Sequence, residues 1–293
     1  MSHPPPRTLQ VLDWSIPVLG LAQSVSACSF SLFSLVHLSA PLTALLPSRP
    51  KYLASPENRA NGFLLLGREL YQGQWSEPVW VYASLSVHVL AGVANRWLKL
   101  AQATQRRKWK RRCLALELDD DDAPSPTTAD TRPLKPALTT HHVTGYVLVP
   151  IVLHHVWLHR ILPASPAPPI SALSPSFFNY TFTAEALTNP SRALRVASAA
   201  SYAALTALAV YHALVGLRIL ADPTAPRSLA PKRRRRSRGR GRAWQAAWTA
   251  VVVGVGVGTA RIAGAFGAER IGTHPDWIAK RMDYVLRRGW GLT

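Results

Sequence analysis

Eight of the ten histidines lie within long apolar runs: His37, His88, His141, His142, His154, His155, His159 and His212. Hydrocarbon gives an imidazole nothing to bond, so each must either hydrogen-bond another helix or ligate a metal. Their spacing repeats. Ser26 and Ala27 precede His37 at the distance at which Thr144 and Gly145 precede His155. "HVLAG" at His88 to Gly92 is matched by "HALVG" at His212 to Gly216. In both, the glycine follows the histidine by one helical turn and leaves room on that face for a flat group or a second backbone.

The apolar runs that carry these side chains are blocks rather than periodic stripes. Five are long enough for a helix to cross a bilayer, which takes about 20 residues: 16–46, 79–98, 140–162, 193–220 and 244–267. The expected fold is therefore all-α, a polytopic bundle of five transmembrane helices filling 14–290. Two repeated hairpins, spans one with two and three with four, would be joined by a single fifth helix. In that fifth span Gly254 and Gly258 form a small-xxx-small pair suited to close helix approach.

Between the spans the chain is strongly basic, with Lys and Arg outnumbering Asp and Glu by 34 to 15 and a net charge of +19. The loop 101–138 runs from a basic cluster into four aspartates and a Pro/Ser/Thr stretch, a composition that predicts disorder. A second basic loop, 221–243, holds "KRRRRSRGRGR". Lying between spans, these runs are expected to meet anionic lipid headgroups rather than nucleic acid. By the positive-inside rule they face the cytosol together with the N-terminal tail, 1–13. In 273–290, Ile278, Met282, Val285 and Leu286 share one helical face opposite Lys280, Arg281, Arg287 and Arg288. That pattern predicts an amphipathic helix along the interface, capped at Thr273 and anchored by Trp277, Tyr284 and Trp290. Cys28 and Cys113 are too few for a disulfide framework or a zinc site. Neither a nucleophile elbow nor a phosphate loop nor a metalloprotease motif occurs, which argues against a hydrolase. A channel is disfavoured because Asp and Glu are missing from the span interiors.

"THHVTGYVL" and "YHALVGLRILAD" in spans three and four resemble the first and second helices of succinate dehydrogenase cytochrome b membrane-anchor subunits. That resemblance implies His212 as a haem b ligand and Arg218 as the arginine beside a propionate or quinone. With His88, His37 and His155 it would complete axial pairs for one or two haems in an electron-transfer protein. Ile219 stands where the pattern has a second histidine, and His142 where it has the quinone-site arginine. Taken whole, the five spans, the doubled hairpin and "TGYVLVPIVLHHVWLHRILP" resemble the fungal mitochondrial adaptor family first known as suppressors of lost mitochondria–reticulum tethering. This second resemblance implies an outer mitochondrial membrane protein of lipid homeostasis, the inner membrane being the alternative. It further implies recruitment of a bridge-like lipid-transfer protein at organelle contact sites through a Pro-x-Pro segment, found at Pro4 and Pro6 and again at Pro124 and Pro126. In the adaptor the histidines would serve as interhelical hydrogen-bond donors and no cofactor would be needed.

The loop charges yield an expected outcome. Protease added to intact organelles should cut within 232–242 and spare a tag placed after residue 293, and protection of the basic run would reverse the assigned orientation.

Overall fold

The computed structural model describes residues 5–46, 56–117, 138–170, 178–221, 234–269 and 276–292. Every regular element among them is helical, in the order α1 (Arg7–Thr43), α2 (Pro56–Tyr71), α3 (Ser84–Glu117), α4 (Thr140–Val156), α5 (Tyr180–Thr188), α6 (Arg192–Ala221), α7 (Arg234–Glu269) and α8 (Asp276–Gly289). A π-helical segment, Glu77–Ala83, leads into α3, and another, Trp157–Ile161, continues α4 to a short 3-10 turn at Leu162–Ala164. Four helical stretches are long and apolar enough to cross a membrane: Arg7–Thr43, Thr140–Ala164, Arg192–Ala221 and Ala243–Gly264. A multi-pass membrane protein follows from these four. The 79–98 block is helical as well, but Asn95 and Arg96 interrupt its apolar character and it is not among them.

In α1 no charged residue follows Asp13. Its hydroxyls bond back into their own helix, Ser24 to the Gly20 carbonyl at 2.8 Å, Ser26 to Ala22 at 2.7 Å and Thr43 to Ala40 at 2.7 Å. No hydroxyl in that list then needs water, the condition for residence in hydrocarbon.

The chain divides into two compact units. One comprises residues 1–31 and 75–139, in which α1 and the π-helix with α3 run antiparallel. The Trp80 indole donates to the Ser29 carbonyl at 2.9 Å near one end, Gly20 faces Asn95 midway, and Asp13 takes Gln102 and Arg106 near the other. The second unit holds 32–74 and 140–293. Its largest core gathers Leu158, Leu162, Ile170, Phe178, Phe182 and Leu194 with Ile278, Met282, Val285 and Leu286 of α8. A smaller core joins Ala44, Ala60 and Ile262. The Trp248 indole donates to the Ala207 carbonyl at 3.0 Å, tying α7 to α6.

Several sequence boundaries move. The helix starts at Arg7, inside the expected tail 1–13, because the Pro6 carbonyl takes the amides of Leu9 and Gln10. It ends at Thr43 instead of 46. The expected disordered loop 101–138 is helical to Glu117, rich in good helix formers and held to α1 through Asp13. The expected loop 221–243 gives way to α7 at Arg234, since an arginine run is also a fair helix former. The apolar face of α8 has the predicted residues, but they are 3%, 2%, 0% and 0% exposed inside a protein core and do not meet lipid. Large rings at Phe178 and Phe182 offer that face a better-matched surface than acyl chains would. Trp290, expected as a lipid anchor, packs on this core and on the His154 ring 4.4 Å away. Thr273 lies outside the described residues.

The small-xxx-small pair in α7 is a true contact. A Cβ at Gly258 would strike the Pro41 carbonyl, and one at Gly254 would come within 3.0 Å of the Leu42 side chain, whereas Gly256 faces open space. Replacing Gly258 by alanine should therefore cost about 1–3 kcal/mol. Gly256→Ala should be neutral or stabilising by up to about 1 kcal/mol, since alanine is the better helix former. Thermal unfolding in detergent checks the contrast.

Candidate histidine site

In the first unit His88 on α3 directs Nδ1 at the Gln23 carbonyl of α1, 3.2 Å away. A carbonyl only accepts, so Nδ1 carries the proton. One turn later Gly92 lies under the Gln23 side chain, whose Nε2 would be 2.8 Å from a Cβ there. In the second unit His212 on α6 directs Nδ1 at the His141 carbonyl of α4, again 3.2 Å away, with the Thr144 hydroxyl at 3.4 Å. Gly216 lies beside the His141 ring, with 3.5 Å from its Cβ position to Cε1. The two joints match in donor, acceptor and glycine. His141 also stands at the offset from Gln23 that His155 has from His37. Gln23 and the role of His141 escaped the sequence reading, although this shared offset pointed to both.

The second joint is further packed by stacking. The His141 and His212 rings lie 4.0 Å apart at an interplanar angle of 10°. Gly145 makes room for His212, since a Cβ there would approach Cε1 to 2.9 Å.

A third cluster, also in the second unit, gathers His37, His155 and His159. The His37 Nδ1 is 3.2 Å from the Tyr71 hydroxyl, and its ring is stacked on Phe33. The His155 ring is 6.2 Å from that of His37 and 4.4 Å from that of His159. His159 Nε2 meets the Tyr202 hydroxyl at 3.1 Å, with Phe182 edge-on at 5.2 Å. The π-helical turn starting at Trp157 carries His159. Tyr71 and Tyr202 could not be found from sequence, because α2 has no strong apolar pattern and a tyrosine in a span is unremarkable alone.

Of the four histidines expected as haem ligands, His37 and His155 are brought together, while His88 and His212 belong to different units and each bonds within its own hairpin. A macrocycle placed between His37 and His155 would have to displace Phe33, Tyr71 and His159. Arg218, expected near a propionate, is exposed in the last turn of α6. As packed, the space between His37 and His155 does not fit haem b. Among the described residues no group of three or more His, Cys, Asp or Glu is placed to hold a metal ion.

Of the expected partner-binding residues, Pro6 sits at the α1 start with its carbonyl in use, and Pro4, Pro124 and Pro126 lie outside the described residues. No family model, curated protein or solved structure matches the chain.

The pairing of His159 with Tyr202 is open to a double-mutant cycle. His159→Phe and Tyr202→Phe should each destabilise the detergent-solubilised protein, and the pair should show a coupling of about 0.6–2 kcal/mol. Additive losses would mean that the two groups do not bond.

Proposed function

We propose that this chain is a multi-pass membrane adaptor, with its helices as anchor and its segments outside the membrane as the binding elements. The observation that carries the reading is the employment of the histidines. His88 and His212 fasten helix to helix through main-chain carbonyls, and His37 and His159 bond tyrosines, which is the structural work an anchor requires. In the finer reading the protein crosses the bilayer five times. The 79–98 block keeps company with α1 from Trp80 to Arg106, which supports its crossing alongside. The matched joints His88–Gln23 and His212–His141 likewise support descent of the two hairpins from one duplicated unit.

The resemblance to the tethering-suppressor family supplies the rest of the proposal: residence in the outer mitochondrial membrane, a part in lipid homeostasis, and recruitment of a bridge-like lipid-transfer protein through Pro4 and Pro6. An extended proline segment loses little entropy on docking, which suits it to recruitment.

Changing Pro4 and Pro6 to alanine should abolish recruitment of that partner to mitochondria while membrane insertion persists, because alanine keeps the Pro6 carbonyl on which α1 starts. His88→Ala with His212→Ala should lower thermal stability and leave recruitment intact. Retained recruitment in the proline variant would move the site to Pro124 and Pro126, and its survival there too would end the adaptor reading. A Soret band in the purified wild type that the histidine variant loses would replace the adaptor with a redox protein.

A further inference from the structure

The helix α3 does not stop where its apolar block does. It runs unbroken from Ser84 to Glu117, with no proline and no glycine after Gly92. Gly20 faces Asn95 and Asp13 faces Gln102, so Ile16, where the apolar block of α1 begins, is close to level with Lys99. Trp14 and Trp97, each 71% exposed, lie near the same level, where interfacial aromatics belong. In the five-span reading this level is the edge of the hydrocarbon.

Above it the helix keeps rising. At 1.5 Å per residue, Arg107 stands about 12 Å and Arg112 about 20 Å beyond Lys99. The headgroup layer is only about 5–8 Å thick. The run Arg106, Arg107, Lys108, Lys110, Arg111 and Arg112 has no acidic residue within it. Lys108, Arg111 and Arg112 are exposed. Asp13 holds Arg106 at 2.7 Å and so ties this part of α3 to the start of α1. A helix fastened in that way, and continuous with the 79–98 block that the five-span reading puts across the bilayer, cannot lie down on its own bilayer. Its upper cations stand about a Debye length of 8 Å or more above their own headgroups, where that attraction has largely decayed.

We propose that the part of α3 beyond Lys99 is a rigid basic post that binds the anionic headgroup layer of a second membrane facing the one the protein spans. The distribution of charge favours this occupant. Successive positions 106–112 point all round the helix, with Trp109 among them, so no single face is shaped for a protein epitope. A fluid layer of mobile anionic lipids can surround such a tip from every side, and an indole is at home in it. The proposal rests on the crossing of the 79–98 block read under the proposed function and not on the lipid-transfer partner.

The test uses the full chain in dye-marked phosphatidylcholine vesicles. These are mixed with a second population of phosphatidylcholine alone or with about one third phosphatidylserine. Energy transfer reports vesicle clustering, and alkaline extraction reports insertion separately. Clustering is expected only with anionic second vesicles. It should fall at least tenfold when Arg107, Lys108, Arg111 and Arg112 are all changed to Gln, which is also a good helix former. It should persist in the charge-keeping variant Arg107→Lys, Arg111→Lys, Arg112→Lys, and when Arg234, Arg235 and Arg236 are changed to Gln. Loss in the α7 variant but not the α3 glutamine variant would overturn the proposal. So would suppression of clustering by phosphatidylserine placed in the host vesicles, since the post would then be binding its own bilayer. Absence of clustering by an inserted wild type that instead retains RNA or an acidic peptide would overturn it as well.

Discussion

A hydrocarbon interior offers a side chain no hydrogen-bond partner, and the arrangement of polar groups in these helices follows from that shortage. A main-chain carbonyl has two lone pairs, and the helix ladder uses only one. The second serves here as a universal acceptor. Serines and threonines reach a carbonyl one turn back in their own helix. Imidazoles and indoles are longer and reach a carbonyl on the neighbouring helix, as His88, His212, Trp80 and Trp248 do. A joint of this kind leaves the accepting helix intact and needs no particular side chain on the acceptor. Its geometry can therefore recur while the residue supplying the carbonyl changes from Gln23 to His141.

Such joints need close helices, and glycine supplies the closeness. Gly92 and Gly216 accommodate the side chains of the residues whose carbonyls are used, Gly145 accommodates the donor ring, and Gly258 receives the backbone at Pro41. Lipid tails are as apolar as leucine, so burial does little to drive helices together and contact quality decides. The His37–Tyr71 and His159–Tyr202 pairs follow the same rule with side-chain hydroxyls as partners.

How much of this could be read in the sequence depends on the range of the cause. Helical blocks were legible because apolarity over about 20 residues is a local property. The apolar face of α8 was legible from its period, yet its burial against Phe182 and Leu194 was not, because that contact joins distant segments. The interior role of His88 and His212 came from the glycine one turn away, and their carbonyl partners could not, since a carbonyl leaves no mark in an amino-acid alphabet. The haem expectation set His37 and His155 across from His88 and His212, whereas the fold brings His37 and His155 together and fills the space around them with the rings of Tyr71 and His159. Helix ends were misjudged where charge was taken for a loop: arginine and lysine at 101–117 and 234–243 continue helices readily once nothing obliges the chain to stop at the membrane edge.

The docking of α8 also sets an order of events during synthesis. The core begun by Leu158, Leu162 and Phe182 is closed only by Ile278 to Leu286, about a hundred residues later. Until α8 has been made, the rings of Phe178 and Phe182 lack the cover that its apolar face gives them. While the residues between Phe182 and Ile278 are being made, the nascent protein thus carries an unfinished apolar surface, a target for chaperones and a hazard for aggregation. Long-range closure of this kind is slow to form, so assembly of this unit is paced by arrival of the C-terminal helix and not by insertion of the spans.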